Sequence, residues 1–238
     1  VVYQLDAKEM RDPEHMKRMG KAASTRLAAE IDKNLYATVA ARAGIVVKKV
    51  GAMASGDAAQ AEALMLSRGI GAGRERKLFM NPFDHLSITE NLAGRAYMGD
   101  LAKGAYERSQ VPDIAGFRTF RTDNVANLTT VGTVTSTLVN GANQALTVEA
   151  MSGDLPKDNR QMTLNCDGAN VANVKAGDVF TLPTVNAVHQ VDKSDTGQLM
   201  TFRVLANNAG ALTITPAIIT SGPYQNVTNA AADNAPLT

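Results

Sequence analysis

The sequence has no tryptophan, one cysteine, and aromatic residues at only 5%. Without aromatic bulk, the core has to be packed from alanine, valine, leucine and ten methionines. A lone Cys166 rules out an intrachain disulfide and is compatible with a reducing compartment. No run of about 18 apolar residues is present, so no membrane-spanning helix is expected, and the start of the chain lacks a secretory signal pattern. The triplets Asn127-Leu128-Thr129 and Asn226-Val227-Thr228 are therefore read as accidental matches to the glycosylation pattern. Excess charge is missing too. A net +1 argues against a dedicated nucleic-acid binder that works by neutralising phosphates. The small surplus is uneven: residues 1–124 carry a net +4 and residues 125–238 a net −3.

What is present is globular in character. Hydrophobic residues make up 45% and charged residues 20% of 238 positions, enough for one large domain or two ordinary ones. The dominant feature is residues 12–43. Asp12 is placed to cap a helix, Pro13 suits its first position, and Glu14 sets negative charge at the positive end of the dipole. Met16, Met19, Ala23, Leu27, Ile31, Leu35 and Val39 recur every three or four residues and draw one apolar stripe. The opposite face carries Lys17, Arg18, Lys21, Arg26, Glu30, Lys33 and Arg42, and Gly44 stands where a C-terminal glycine belongs. Two readings fit: an amphipathic helix resting on its own core, or a strut shared by a larger assembly.

The remaining first half alternates helix and strand, which makes the class α+β. Residues 1–5 and the run Ile45-Val46-Val47 with Val50 read as brief strands. A second helix is expected through residues 54–69, capped by Asp57, with Ala61, Leu64 and Met65 inward and Arg68-Gly69 at its end. Residues 77–80 read as a strand stopped by Asn81-Pro82, and Ser87–Glu90 as a capping box opening a short helix. Near Asn124 the composition changes to Thr, Val, Asn and Gly. Strands are expected at 144–150, 161–166, 178–182, 198–206 and 211–219, separated by turns at 152–154, 167–168, 175–178, 196–197 and 207–210. Met200, Phe202 and Val204 alternate with Thr201, Arg203 and Leu205, as in a half-buried strand. This spacing fits a small β-barrel or sandwich, with the boundary at 124/125. The chain starts on Val1 and ends on a polar run without an evident element, as a partial chain would.

Candidate chemistry is thin. Gly69–Arg74 resembles a phosphate cradle but follows a helix and precedes a strand, the reverse of a dinucleotide loop, and lacks Gly-Lys-Ser/Thr. It reads as a flexible helix exit. His15, His85 and His189 have no ligand spacing, so no metal or other cofactor is expected. Cys166 reads as a buried structural thiol, and residues 192–197 as a polar turn rather than a calcium loop. Arg74, Arg76 and Lys77 lack the interleaved aromatics of a stacking site. There is no catalytic constellation, so no enzyme is expected.

The order of several segments is more specific. QLDAKEMRD leads into the long helix, followed by KLFMNPFD and AYERSQVPDIAGFRTFRT; the second half adds GDVFTLPTVNAVH, DTGQLMTFRVLA and LTITPAIITSGPYQNV. Across nearly the whole chain this series resembles the major coat (capsid) proteins of short-tailed double-stranded-DNA phages of the P-twenty-two type. The resemblance implies an HK-ninety-seven-like coat fold with an inserted all-β barrel. Residues 1–44 would form the spine helix and a peripheral segment, 45–124 an axial domain segment, and 125–238 the inserted barrel. It further implies no catalytic role and a subunit that joins itself in hexamers and pentamers. The implied partners are a scaffolding protein during assembly, a portal protein at one vertex, and packaged double-stranded DNA through non-specific contact, with no membrane. The location would be the virion capsid, assembled in the host bacterial cytoplasm. The family's N-terminal arm, extended loop and C-terminal completing segment have no counterpart here, and residues 133–144 are shorter than the prototype's loop-bearing region and uncharged. Lys17, Arg18 and Lys21 are the expected subunit or lumen contacts. Two other classes compete: a soluble module whose β-barrel binds a partner or carbohydrate, and a nucleotide-dependent enzyme using Gly69–Gly73.

Overall fold

A computed structural model of the chain describes residues 11–47, 51–71, 75–94, 99–109, 111–125 and 136–238. The expected strand at 1–5, Val50, Ala72 to Arg74 and Asn127 to Thr129 lie outside the described residues. The first helix, α1, runs Pro13–Ala41, 29 residues and so about 43 Å at 1.5 Å per residue. Asp12 caps it as expected, its carboxylate accepting from Glu14 N–H at 3.0 Å. The helix ends at Arg42, two residues before Gly44. No residue of α1 is buried.

The second helix, α2, is Ser55–Ser67. Asp57 is not its N-cap but its third residue: the carboxylate reaches back to the N–H of Ala54 at 2.7 Å, the acidic half of a capping box. Its end matches the sequence reading. Gly69 takes φ +84, its N–H donates to Leu66 C=O, and Ile70 N–H donates to Met65 C=O, both at 2.9 Å. The strand β1, Arg76–Met80, is followed directly by helix α3, Pro82–Ala93. The expected helix start at Ser87 is therefore five residues late. Asn81-Pro82 ends the strand and also opens the helix, with Asn81 Oδ1 accepting from Phe83 N–H at 3.1 Å and Pro82 at the first helical position. Ser87 instead sits inside α3, its hydroxyl donating to Phe83 C=O. Helix α4, Asp100–Arg108, precedes strand β2, Phe117–Arg121, which pairs in parallel with β1. Met80, Ile88 and Leu92 form a small core with Met53, Leu78, Val111 and Ile114 against it.

Residues 45–47 form no strand; the Gly44 carbonyl just before them accepts from two side chains, Arg68 and Thr201.

The second half is one curled antiparallel sheet. Its strands are β3 (Leu138–Val139), β6 (Met162–Asp167), β9 (Ala211–Thr215), β8 (Asp195–Asn208) and β7 (Val179–Val188), in that order. A separate hairpin of β4 (Met151–Ser152) and β5 (Leu155–Pro156) turns at Gly153-Asp154. The expected strand at 144–150 is absent: that segment touches its neighbours at single points, such as Leu146 N–H to Ile218 C=O. β9 stops at Thr215, since Pro216 has no N–H to extend the ladder. Thr196-Gly197 lies inside β8, and the turn falls at 189–194. The terminal polar run does have a structural place. Leu237 N–H donates to Thr137 C=O beside β3, and Thr238 exchanges backbone bonds with Thr181 of β7, so one segment ties both sheet edges. The core beneath is large, built on Phe180, Phe202, Leu164, Leu182, Leu212, Ile214 and Ile218.

Candidate assembly surface

The surface that stands out is α1. Its apolar stripe is legible in the sequence but is not laid on a core: Ile31 is 57% exposed, Leu35 61% and Val39 63%. An ordered amphipathic helix normally buries such a stripe, since each large aliphatic side chain is worth about 1.5–3 kcal/mol fully buried. Near its C-terminal end, Tyr36 meets Phe79 of β1 edge-on at 5.5 Å, and Phe79 stacks on Phe120 of β2 at 5.4 Å.

The root of the helix is held by cations. Arg68, at the end of α2, donates from Nη1 to Gly44 C=O at 3.2 Å, and Thr201 Oγ1 donates to the same oxygen at 2.7 Å. Arg203 of β8 donates from Nη1 to Gly177 C=O at 3.0 Å and from Nε to Ala43 C=O at 3.5 Å. Both guanidiniums are buried, and burial lowers both pKa values from the ordinary arginine range. These bonds supply partners to backbone carbonyls just past the end of α1 and, at Gly177, in the turn before β7. This clamp joins the rod, α2 and the curled sheet. Sequence reasoning missed it: alternation puts Arg203 outward, and the only hint is a lone cation in a strand whose other charge is Asp195 at its start.

Lys17, Arg18 and Lys21 all stand exposed on the N-terminal half of α1, without ion pairs among the described residues. Arg18 and Lys21 line a shallow hollow of about 520 Å³ with Thr25 and Arg26; Lys17 does not.

The other sequence candidates have structural occupations. Arg76 is buried, with Nη2 donating to Ile70 C=O at 2.7 Å and Nη1 3.4 Å from Glu62, so it offers nothing to a phosphate backbone. Asp192 accepts from the N–H and the hydroxyl of Ser194 and lies 2.9 Å from His189 Nδ1; the Ser194 bonds lower its pKa. His85 belongs to α3 and Cys166 to β6, each in its own packing. Burial, with Asp167 nearby, pushes the Cys166 thiol up to about 12. Among the described residues no group of three or more His, Cys, Asp or Glu is placed to hold a metal ion, and no helix is long and apolar enough to cross a membrane.

An exposed rod held at its root by a buried clamp is the geometry of a structural building block. The comparison with known families makes this specific: the family model described as P22 coat protein, gene protein 5, matches residues 1–238, and the chain belongs to that family. Its role is that of a major capsid structural protein. A solved structure, the CUS-3 coat protein I-domain, is 35% identical over 45% of this chain and 96% of that one, with a TM-score of 0.36.

Proposed function

We propose that the chain is the shell-forming subunit of a tailed phage, joining in hexamers and pentamers to build an icosahedral container for double-stranded DNA. The observation that carries this reading is α1: 29 residues, none buried, with its aliphatic stripe open. Shell contacts repeated by symmetry supply the cover that the subunit itself does not. In this reading α1 is the spine of an HK-ninety-seven-like fold, within residues 1–44. Residues 45–124 form the axial segment and 125–238 the inserted barrel. The partition is supported by two separate hydrophobic cores, one drawn from residues 139–237 and the other from 53–114. A scaffolding protein guides assembly in the host bacterial cytoplasm, a portal protein occupies one vertex, and the near-neutral chain encloses DNA through non-specific contact.

Lys17, Arg18 and Lys21 are proposed as subunit or lumen contacts, because they are charged, exposed and unpaired on the rod. Electron microscopy of the purified chain is the test: closed shells or capsomers are expected, whereas a persistent monomer would return the chain to the binding-module reading. Reversing the three charges with Lys17→Glu, Arg18→Glu and Lys21→Glu is expected to leave the fold intact and reduce assembly. Unchanged assembly would remove these residues from the contact.

A further inference from the structure

A cavity of about 580 Å³ opens between α3, α4 and β2, with His85, Asp100, Arg108 and Arg121 among its lining residues. It is within the size range of ligand pockets, roughly 300–1,000 Å³. Thr119 Oγ1 donates to Val111 C=O at 2.8 Å, tying β2 to the segment that follows α4. Arg108 lies just before that segment, and Arg121 is two residues beyond Thr119 on the same face of the strand; both line the cavity. Neither has a side-chain partner among the described residues. Asp100, which also lines the cavity, stands at the opposite end of α4, eight residues and so about 12 Å along the helix axis from Arg108. Midway, Gly104 leaves the helix wall open: nothing lies within 4 Å of where a Cβ would sit.

His85 completes the arrangement. It is only 8% exposed, and its pKa is lowered first by burial and then by the facing Arg121. Its Nδ1 is 3.5 Å from Thr89 Oγ1, whose hydroxyl donates to the His85 carbonyl. Among the described residues neither His85 nor Arg121 makes an ion pair with a carboxylate.

We propose that this cavity takes a phosphate group, gripped by Arg108 and Arg121, with His85 as the buried third donor. Guanidinium forks match phosphate oxygens two at a time, and a bound anion offsets the Arg121 charge that adds to burial in lowering the His85 pKa. Free phosphate esters and a nucleic-acid backbone present this same chemistry. The site does not depend on the shell reading, because it is complete within one subunit.

The chain has three histidines, so ring-resonance NMR of a histidine-labelled sample gives one reporter in the site and two controls. Against chloride at equal ionic strength, inorganic phosphate is expected to shift the His85 signal saturably and raise its pKa by about one pH unit, leaving His15 and His189 still. Arg121→Gln is expected to raise the starting pKa of His85, by removing the facing cation, and to abolish the response to phosphate. Arg108→Gln is expected to weaken that response, and both positions are exposed, so the fold tolerates the changes. A His85 signal that stays fixed, or moves in step with the other two, overturns the site. A short DNA duplex that competes with phosphate at His85 assigns the group to a nucleic-acid backbone; a duplex that leaves the response intact assigns it to a small phosphate.

Discussion

Replacing Gly210 with alanine separates two costs that glycine avoids in the curled sheet. Gly210 sits at φ +96 in the turn between β8 and β9, and its carbonyl accepts from Cys166 N–H at 2.8 Å. An added Cβ would lie 2.6 Å from the Cys166 carbonyl oxygen, so the β6 backbone has to retreat and stretch that bond. The left-handed conformation costs about 1–2 kcal/mol with a side chain, and the overpacking a further 1–3 kcal/mol. Gly177 is the control: its φ is +98, and nothing lies within 4 Å of its would-be Cβ. Gly177→Ala therefore carries only the conformational part. Urea unfolding followed by circular dichroism reads the difference. With a slope near ~2 kcal/mol per molar, Gly210→Ala should unfold about 0.5–1.5 M earlier than Gly177→Ala. Coincident midpoints would refute the close approach of the turn to β6.

Two further outcomes follow from the same half. Ala209, at φ +53, precedes Gly210 in a two-residue hairpin turn where both central residues are left-handed, the setting that favours Asn-Gly. Ala209→Asn should raise stability by about 0.5–1 kcal/mol in the same urea assay. The Cys166 thiol keeps its proton to about 12 in the folded chain against 9.0 ordinarily. The unfolded chain thus releases that proton first as pH rises, so this contribution to stability is present below about pH 9 and is lost between 9 and 12. A thiol reagent at pH 8 should label Cys166 only after denaturant is added; prompt labelling of the folded chain would contradict its burial.

How much could be read in advance differed by element. The start of α1 was legible because Asp12-Pro13-Glu14 is a local signal, and Met200, Phe202 and Val204 point inward as their alternation implies. Local signals with two meanings misled: Asn81-Pro82 both stops β1 and starts α3. β2 was missed because Phe117 and Phe120 break the period of two and its partner strand is far away in sequence. The terminal run was read as having no element, since it joins the sheet edges through scattered bonds at Thr137, Val139 and Thr181 rather than along a periodic strand. The clamp of Arg68 and Arg203 depends on carbonyls at residues 43, 44 and 177, which side-chain patterns do not encode. Most telling is α1 itself, whose stripe was visible while its lack of cover was not. Lys17, Arg18 and Lys21 lie on the same open rod, exposed and without ion pairs among the described residues.

The central claim is that the exposed stripe of α1 is covered only when subunits join. Ile31→Ser with Leu35→Ser tests it most directly, with urea stability and shell formation by electron microscopy measured on one preparation. These side chains are already 57% and 61% exposed, so subunit stability should change by less than about 1 kcal/mol, while assembly loses about 1–2 kcal/mol per site and falls sharply. Shells forming at wild-type yield from the doubly substituted chain would contradict the claim.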